Sequence, residues 1–132
     1  MLSINPDIVC SIIDKAREFH AKEGVVIPET RTSEASDADW AYQVLADHRS
    51  DLTYLELKSE IENLEPDQQT TLVALMWLGR GDYDVSEWKT ALKDARSRKS
   101  GPTADYLLAT PLVSDYLEEG LDLLGYPYES TR

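Results

Sequence analysis

Cysteine and histidine are scarce in this sequence: its 132 residues include one cysteine, Cys10, and two histidines. A single cysteine excludes an intrachain disulfide, and a thiolate zinc site needs several such ligands. No apolar run is long enough to span a bilayer. The first ten residues lack the basic start and the uninterrupted apolar stretch of a signal peptide. These absences predict a cytoplasmic protein with no membrane segment and no bound metal ion.

Basic residues are scarce as well. Lysine and arginine number 13 against 25 aspartates and glutamates, which gives a formal net charge of -12. Nucleic acid and anionic membrane surfaces would repel such a chain, so we predict that it binds neither. The same charge is compatible with a basic partner or with solubility alone, and solubility is the commoner reason for an acidic composition.

Strand-like alternation of apolar and polar residues is absent, whereas apolar residues recur at helical spacing along the chain. The composition is that of a globular protein, with 42% hydrophobic and 29% charged residues. The predicted fold class is therefore all-α, a single compact bundle of six or seven helices over residues 1–132. An exposed loop is expected at about 28–36 and a short C-terminal tail at about 126–132.

Capping signals divide the sequence into helices. Residues 66–78 are predicted to form the central helix, because every residue from 72 to 78 is apolar and no side of that segment suits water. The first helix should end near Lys22, the second near His48 and the fifth near Arg98. The start signals of the other helices are Asn5 with Pro6, Ser36 or Asp37, Thr53 with Glu56, Asp84 with Glu87, Thr103, and Thr110 with Pro111.

The stretch VALMWLGRGDYD, residues 73–84, begins inside the predicted central helix and continues past its end. We interpret it mainly as a helix-to-helix corner. Gly79 would take the left-handed conformation that ends the helix, Arg80 would lie beside the free carbonyls, and Asp84 would cap the next helix. A phosphate-binding loop would instead present backbone N–H groups at a helix N-terminus.

An alternative interpretation makes Arg80 a binding residue, because a guanidinium can bond carboxylates or phosphates and stack on aromatic rings. Asp82, Trp88 and Tyr106 are the other residues predicted to contact a ligand or partner there. A cleft lined by Arg80, Trp88 and Tyr106 would favour binding of an anionic small molecule. An ion pair of Arg80 with Asp82 or Asp84 would indicate that the arginine shapes the corner.

The predicted fifth helix has a cationic side. At 100° per residue, Lys89, Lys93 and Arg96 lie on one flank of its apolar stripe, and Arg98 and Lys99 extend that side. A solvated flank is the simpler interpretation of this pattern. The alternative that we pursue is that the patch contacts a protein partner. A second copy of the chain is one such partner, because the patch could meet the acidic third or last helix of another molecule.

Such a homodimer would also need to bury apolar surface, and Trp40 and Trp88 are the large candidate side chains. Because exposed opposite charges would contribute to it, the dimer is expected to weaken at high salt.

No nucleophile elbow, Walker pattern or dinucleotide fingerprint occurs, so we predict no catalytic residue and no cofactor. The acids Asp115, Glu118, Glu119 and Asp122 recur at helical spacing, which is typical of a solvated face more than of a metal site. We therefore predict first a protein-interaction or regulatory module rather than an enzyme. A binder of an anionic small molecule near Arg80 comes second, and an unrecognised hydrolase third.

Gly120 lies on the apolar face of the predicted last helix, where glycine costs about 1 kcal/mol relative to alanine. Such a glycine usually permits another backbone or a large ring to approach closely. We expect the helix at 66–78 to pack there, with Trp77 as the candidate ring.

Three segments of the chain carry a family resemblance: KAREF at residues 15–19, WLGRGD at 77–82 and TADYLLATPLVSDYLEEG at 103–120. Together they resemble domain-of-unknown-function family 3775, a family of short bacterial proteins, and the likeness runs from about Ile4 to Tyr126. Where such proteins have VLEDH, this chain has alanine at position 46 and so lacks one acid. The resemblance implies a single-domain bacterial protein and no particular chemistry.

Overall fold

The computed structural model describes residues 2–21, 52–98, 102–110 and 112–128. They form α1 (Pro6–Ala21), α2 (Leu52–Glu62), α3 (Pro66–Arg80), a 3-10 turn (Val85–Glu87), α4 (Trp88–Ser97), α5 (Thr103–Leu108) and α6 (Val113–Leu123). No strand occurs in these ranges, and the all-α prediction is confirmed. The predicted loop at 28–36 and helix at 36–48, with Trp40 and His48, lie outside the described residues.

The first helix begins as the sequence predicts. The side chain of Asn5 accepts a hydrogen bond from the backbone N–H of Asp7 at 2.8 Å, and Pro6 occupies the first helical position. The buried face of α1 carries apolar side chains at helical spacing, among them Ile12 and Phe19. This face packs against α2 and α6 and so closes one side of the core.

The central position predicted for residues 66–78 is confirmed by α3. At its start, the backbone N–H of Glu65 donates to Oε1 of Gln68 at 2.9 Å, the returning bond of a capping box. Every residue from 71 to 76 is buried, because α6, α4 and α5 pack around the helix. Neither α3 nor any other described helix is long and apolar enough to cross a membrane.

The predicted helix starts are partly correct. The capping box at Asp84 is confirmed, since its backbone N–H donates to Oε1 of Glu87 at 2.9 Å. Two threonines predicted as caps lie inside their helices instead. The helix α2 begins one residue before Thr53, which is buried in its first turn, and α5 begins at Thr103 with Pro102 in the extended N-cap conformation.

The left-handed conformation predicted for Gly79 is wrong. The helix α3 continues through Arg80, and the left-handed residue that follows is Gly81, with φ of 94°. Gly79 lies where α3 crosses α6. A methyl carbon built on Gly79 would lie 1.8 Å from the carbonyl oxygen of Tyr116, so only glycine permits this approach.

The close approach predicted at Gly120 is confirmed. A methyl carbon built there would lie 2.4 Å from the carbonyl oxygen of Leu75. The neighbour is therefore the backbone of α3 and not the ring of Trp77, which the sequence suggested. One glycine on each helix lets α3 and α6 pack backbone to backbone, and this crossing holds the C-terminal end of α3 in place.

The C-terminal segment is described as far as Tyr128, which lies within the predicted tail. The Tyr128 hydroxyl donates a hydrogen bond to the buried carboxylate of Asp14. The guanidinium of Arg17 lies over the same ring, 5.3 Å from its centroid. Residues 126–128 are thus connected to α1 through Tyr128.

Candidate functional site

The stretch WLGRGD forms the corner that joins α3 to the turn before α4. The backbone N–H of Gly81 donates to the carbonyl of Leu78 at 3.1 Å, and that of Asp82 donates to the carbonyl of Trp77 at 3.0 Å. These two bonds close the helix end in the manner of a Schellman motif, which requires a left-handed residue at Gly81. The motif is thus a helix-to-helix corner, which was the main prediction from its sequence.

Arg80 is paired within this corner. Its Nε and Nη2 atoms donate to the same carboxylate oxygen of Asp82, at 2.9 Å and 2.7 Å. Burial lowers the pKa of the guanidinium. The hydrogen bonds and charges of Asp82 and Tyr106 together raise this pKa by more than burial lowers it, so the net shift is upward. Asp82 therefore compensates the charge of Arg80, as expected if this arginine shapes the corner.

Tyr106 connects the corner to α5. Its hydroxyl accepts a hydrogen bond from Nε1 of Trp77 at 2.9 Å, and it also contacts Arg80. Trp77 in turn stacks on Tyr83, with ring centroids 5.9 Å apart and an interplanar angle of 22°. Of the residues predicted from the sequence, the structure thus brings Arg80, Asp82 and Tyr106 together. Trp88 is half-buried against the hydrophobic core, and within the described residues no hydrogen bond or ring contact joins it to these three.

Two further contacts at this corner have no signal in the sequence. The guanidinium of Arg98 lies over the ring of Tyr106, 4.2 Å from the centroid. The hydroxyl of Tyr83 donates to Asp94, and this hydrogen bond, with smaller effects of burial and of nearby acids, raises the pKa of Tyr83 to about 12. Arg98 was predicted to extend the basic side of α4, but it stacks on α5 instead, and Lys99 lies outside the described residues.

The basic flank of α4 consists of Lys89, Lys93 and Arg96, all of them exposed. Arg96 lies 3.6 Å from a carboxylate oxygen of Asp67, which is beyond hydrogen-bond distance. Neither Lys89 nor Lys93 forms an ion pair in the part of the chain that the structure describes. These lysines are therefore available to an incoming acidic group.

Candidate metal ligands do not converge among residues 2–21, 52–98, 102–110 and 112–128, where no group of three His, Cys, Asp or Glu side chains could hold a metal ion. The Nε2 atom of His20 lies 3.0 Å from the carbonyl oxygen of Leu108, and burial lowers the pKa of this imidazole. On α6, Asp115 and Glu118 contact Arg17, so part of its acidic face binds α1. Cys10 is a free, buried thiol.

The fold and this corner define a small all-α protein in which α3, α4 and α5 meet around Tyr106. The chain belongs to the family described as Protein of unknown function (DUF3775), whose model matches residues 54–126. The match extends over nearly all of α2 and the whole of α3 to α6, and so includes the corner and the basic flank. It confirms the family that the sequence motifs indicated. No curated protein and no solved structure matches the chain.

Proposed function

We propose that the protein is a protein-interaction module that docks an acidic segment of its partner on the basic flank of α4. The observation that supports this proposal is the pair of exposed lysines, Lys89 and Lys93, which no acid neutralises within the described residues. They lie four residues apart and so on the same side of the helix. The docking surface is the outer side of α4, a helix that packs on α3.

Unpaired lysines are notable here because acids outnumber bases almost two to one. Other bases of the described chain are placed beside acids, at 3.5 Å or less, in the pairs Lys15–Glu60, Arg17–Asp115, Lys58–Asp105 and Arg80–Asp82. The basic flank is therefore a local reversal of charge on an acidic molecule. An acidic partner would be attracted to this flank and repelled elsewhere, which would set both its position and its orientation.

Apolar contact would have to add to these charges, because exposed ion pairs contribute only about 0.2–1 kcal/mol each. Val85, in the turn that leads into α4, is 45% exposed and offers apolar surface near the start of the flank. The buried residues of α4 are Ala91 and Ala95, whose small side chains let the helix lie close to α3 while its outer side faces solvent. The combination suits a short acidic segment with one or two apolar anchors.

The double change Lys89→Gln and Lys93→Gln is expected to abolish capture of the partner. Full-length wild type and variant would serve as bait in extracts of the native cell, with washes at low and high salt and identification by mass spectrometry. Wild type should retain a partner with an acidic segment, and high salt should release it because exposed charges are screened. The variant should fail to retain it already at low salt.

A matched control separates the flank from net charge. The double change Ser3→Glu and Asn63→Asp alters two exposed residues outside α4 and the turn that precedes it, and it lowers the net charge by the same amount. It should capture the partner as the wild type does. Equal capture by all three proteins would contradict the docking surface, and equal loss in both variants would show that only the total charge matters.

A second copy of this chain is one candidate partner. The outer side of α6 carries exposed acids, and the exposed leucines Leu112 and Leu123 stand at its two ends. Trp88 was predicted to supply apolar contact in the homodimer, but it packs against the core. We therefore expect Leu112 and Leu123 to supply that contact. We expect a homodimer that weakens at high salt and weakens further with Lys89→Glu and Lys93→Glu. Sedimentation at low and high salt tests this, and a monomer under both conditions would exclude it.

A further inference from the structure

A pocket of about 190 Å³ lies between the N-terminal half of α3, the end of α4 and the start of α5. Its volume is below the roughly 300–1,000 Å³ of sites for drug-sized ligands, so it suits a smaller molecule. Apolar and polar groups both line it. The apolar lining residues are Pro66, Val73 and Ala95, and the polar ones are Gln69, Thr70, Arg96, Arg98 and Thr103.

Arg98 is held in position at this pocket. One face of its guanidinium stacks on Tyr106 at 4.2 Å, and the Tyr106 hydroxyl is itself fixed by the hydrogen bond from Trp77. A guanidinium carries five N–H donors in one plane, so Arg98, which has a further interaction besides this stack, can still present N–H groups to an oxyanion. Because the side chain is already ordered, binding would cost little of its conformational freedom.

Arg96 brings the second cation to the pocket. Its interaction with Asp67 is long, at 3.6 Å, and both side chains are largely exposed, at 63% and 74%. Such a pair contributes little to stability, so Arg96 can exchange this carboxylate for a ligand at small cost. Two guanidinium groups can therefore act on one bound anion.

Gln69 contributes mainly to the shape of the pocket. Its Nε2 atom donates to the carbonyl oxygens of Leu64 at 2.9 Å and of Glu62 at 3.3 Å, which ties the side chain to the end of α2. The hydroxyls of Thr70 and Thr103 are the uncharged donors that remain among the lining side chains. Charged and neutral donors thus come from three different helices or helix ends.

We propose that this pocket binds a small phosphorylated molecule, with its phosphate group between Arg96 and Arg98 and its remainder against Val73 and Ala95. A phosphate monoester carries a charge of about -1.5 to -2 at pH 7, which two guanidinium groups match, whereas a monocarboxylate carries only one. Arg96 belongs to both the basic flank and the pocket, but Lys89 and Lys93 do not line the pocket, so changes at these two lysines test the docking function separately.

Titration with phenyl phosphate, inorganic phosphate and acetate at constant ionic strength tests this site, with binding followed by calorimetry and amide NMR shifts. Phenyl phosphate should bind saturably and more tightly than inorganic phosphate, because its ring meets the apolar lining, and acetate should bind most weakly. The double change Arg96→Gln and Arg98→Gln should weaken binding at least about tenfold, since charged hydrogen bonds are lost. Thr70→Val, which keeps volume and net charge, should weaken it about threefold.

The double change Lys89→Gln and Lys93→Gln is the matched control, since it lowers the net charge equally but leaves the pocket intact. It should alter phosphate affinity less than about twofold, because it acts only through screened charge at a distance. Thermal melts would show that each variant is folded, and Thr70→Val provides a test that leaves the Arg98–Tyr106 stack untouched. Absence of saturable binding to the wild type, equal weakening by both arginine and lysine changes, or acetate binding as tight as phosphate would overturn the proposal.

Discussion

Replacement of Gly79 by alanine is expected to lower the free energy of unfolding by about 2–3 kcal/mol, although alanine is the better helix former. The new methyl carbon would lie 1.8 Å from the carbonyl oxygen of Tyr116 and 2.6 Å from its carbonyl carbon. Backbone atoms of a packed helix cannot move aside alone, so α3 and α6 must separate. Overpacking usually costs about 1–3 kcal/mol and occasionally more, and a clash with backbone atoms belongs at the upper end, about 3–4 kcal/mol. The gain of about 1 kcal/mol in helix propensity then leaves a net loss of about 2–3 kcal/mol.

Gly81→Ala is the control for this change, two residues away. Gly81 has a left-handed φ of 94°, and a methyl group there would meet nothing within 4 Å. Its substitution should cost about 1 kcal/mol through backbone strain alone. Urea melts with matched slopes would rank the proteins, wild type first and Gly79→Ala last. If Gly81→Ala were the more destabilised variant, Gly79 would not lie at a helix crossing.

Local chemistry in the sequence accounts for much of the fold. Asn5 with Pro6 and Asp84 with Glu87 start helices where they were predicted, because a cap uses groups within three residues of each other. The uninterrupted apolar run of residues 72–78 predicted the central helix for a similar reason, since its composition leaves no side for water. Gly120 was recognisable because glycine is costly inside an apolar helix face.

The remaining features depend on contacts between residues far apart in the chain. The sequence GRG offers two glycines that could end α3, and the crossing with Tyr116, 37 positions after Gly79, makes the second one the cap. Trp88 was the tryptophan predicted to lie near Arg80, but the arrangement of α3 against α5 gives Trp77 the bond to Tyr106. No spacing rule relates these residues, so pattern analysis could not select them.

The same long-range contacts link the helix crossing to the proposed phosphate pocket. The two glycines set the distance of α6 from α3, and the C-terminal end of α3 carries Trp77. Trp77 orients Tyr106, and Tyr106 supports the guanidinium of Arg98 at the pocket. A substitution at the crossing should therefore affect both the free energy of unfolding and the proposed phosphate pocket. The exposed lysines of α4 depend only on the position of their own helix.

Replacement of Gly120 by leucine is expected to be the most destabilising of the substitutions considered, with a cost above about 3 kcal/mol. Even a methyl carbon at this position would lie 2.4 Å from the carbonyl oxygen of Leu75 and 3.3 Å from a methyl group of its side chain. A leucine side chain adds three further carbons to a space that holds none, inside a close-packed core. The gain in helix propensity, about 1 kcal/mol, cannot offset this overlap.

Glu119→Leu introduces the same side chain one position earlier on α6, where the residue is exposed, and should change the free energy of unfolding by less than about 0.5 kcal/mol. Comparison of the two leucine variants by urea melts therefore isolates the helix crossing from propensity and hydrophobicity. A Gly120→Leu protein as stable as the wild type would mean that this face of α6 is open.

The changes Gly79→Ala and Gly120→Ala should combine non-additively. The double variant should lose less free energy of unfolding than the sum of the two single losses, because the separation of α3 from α6 caused by one methyl group makes room for the other.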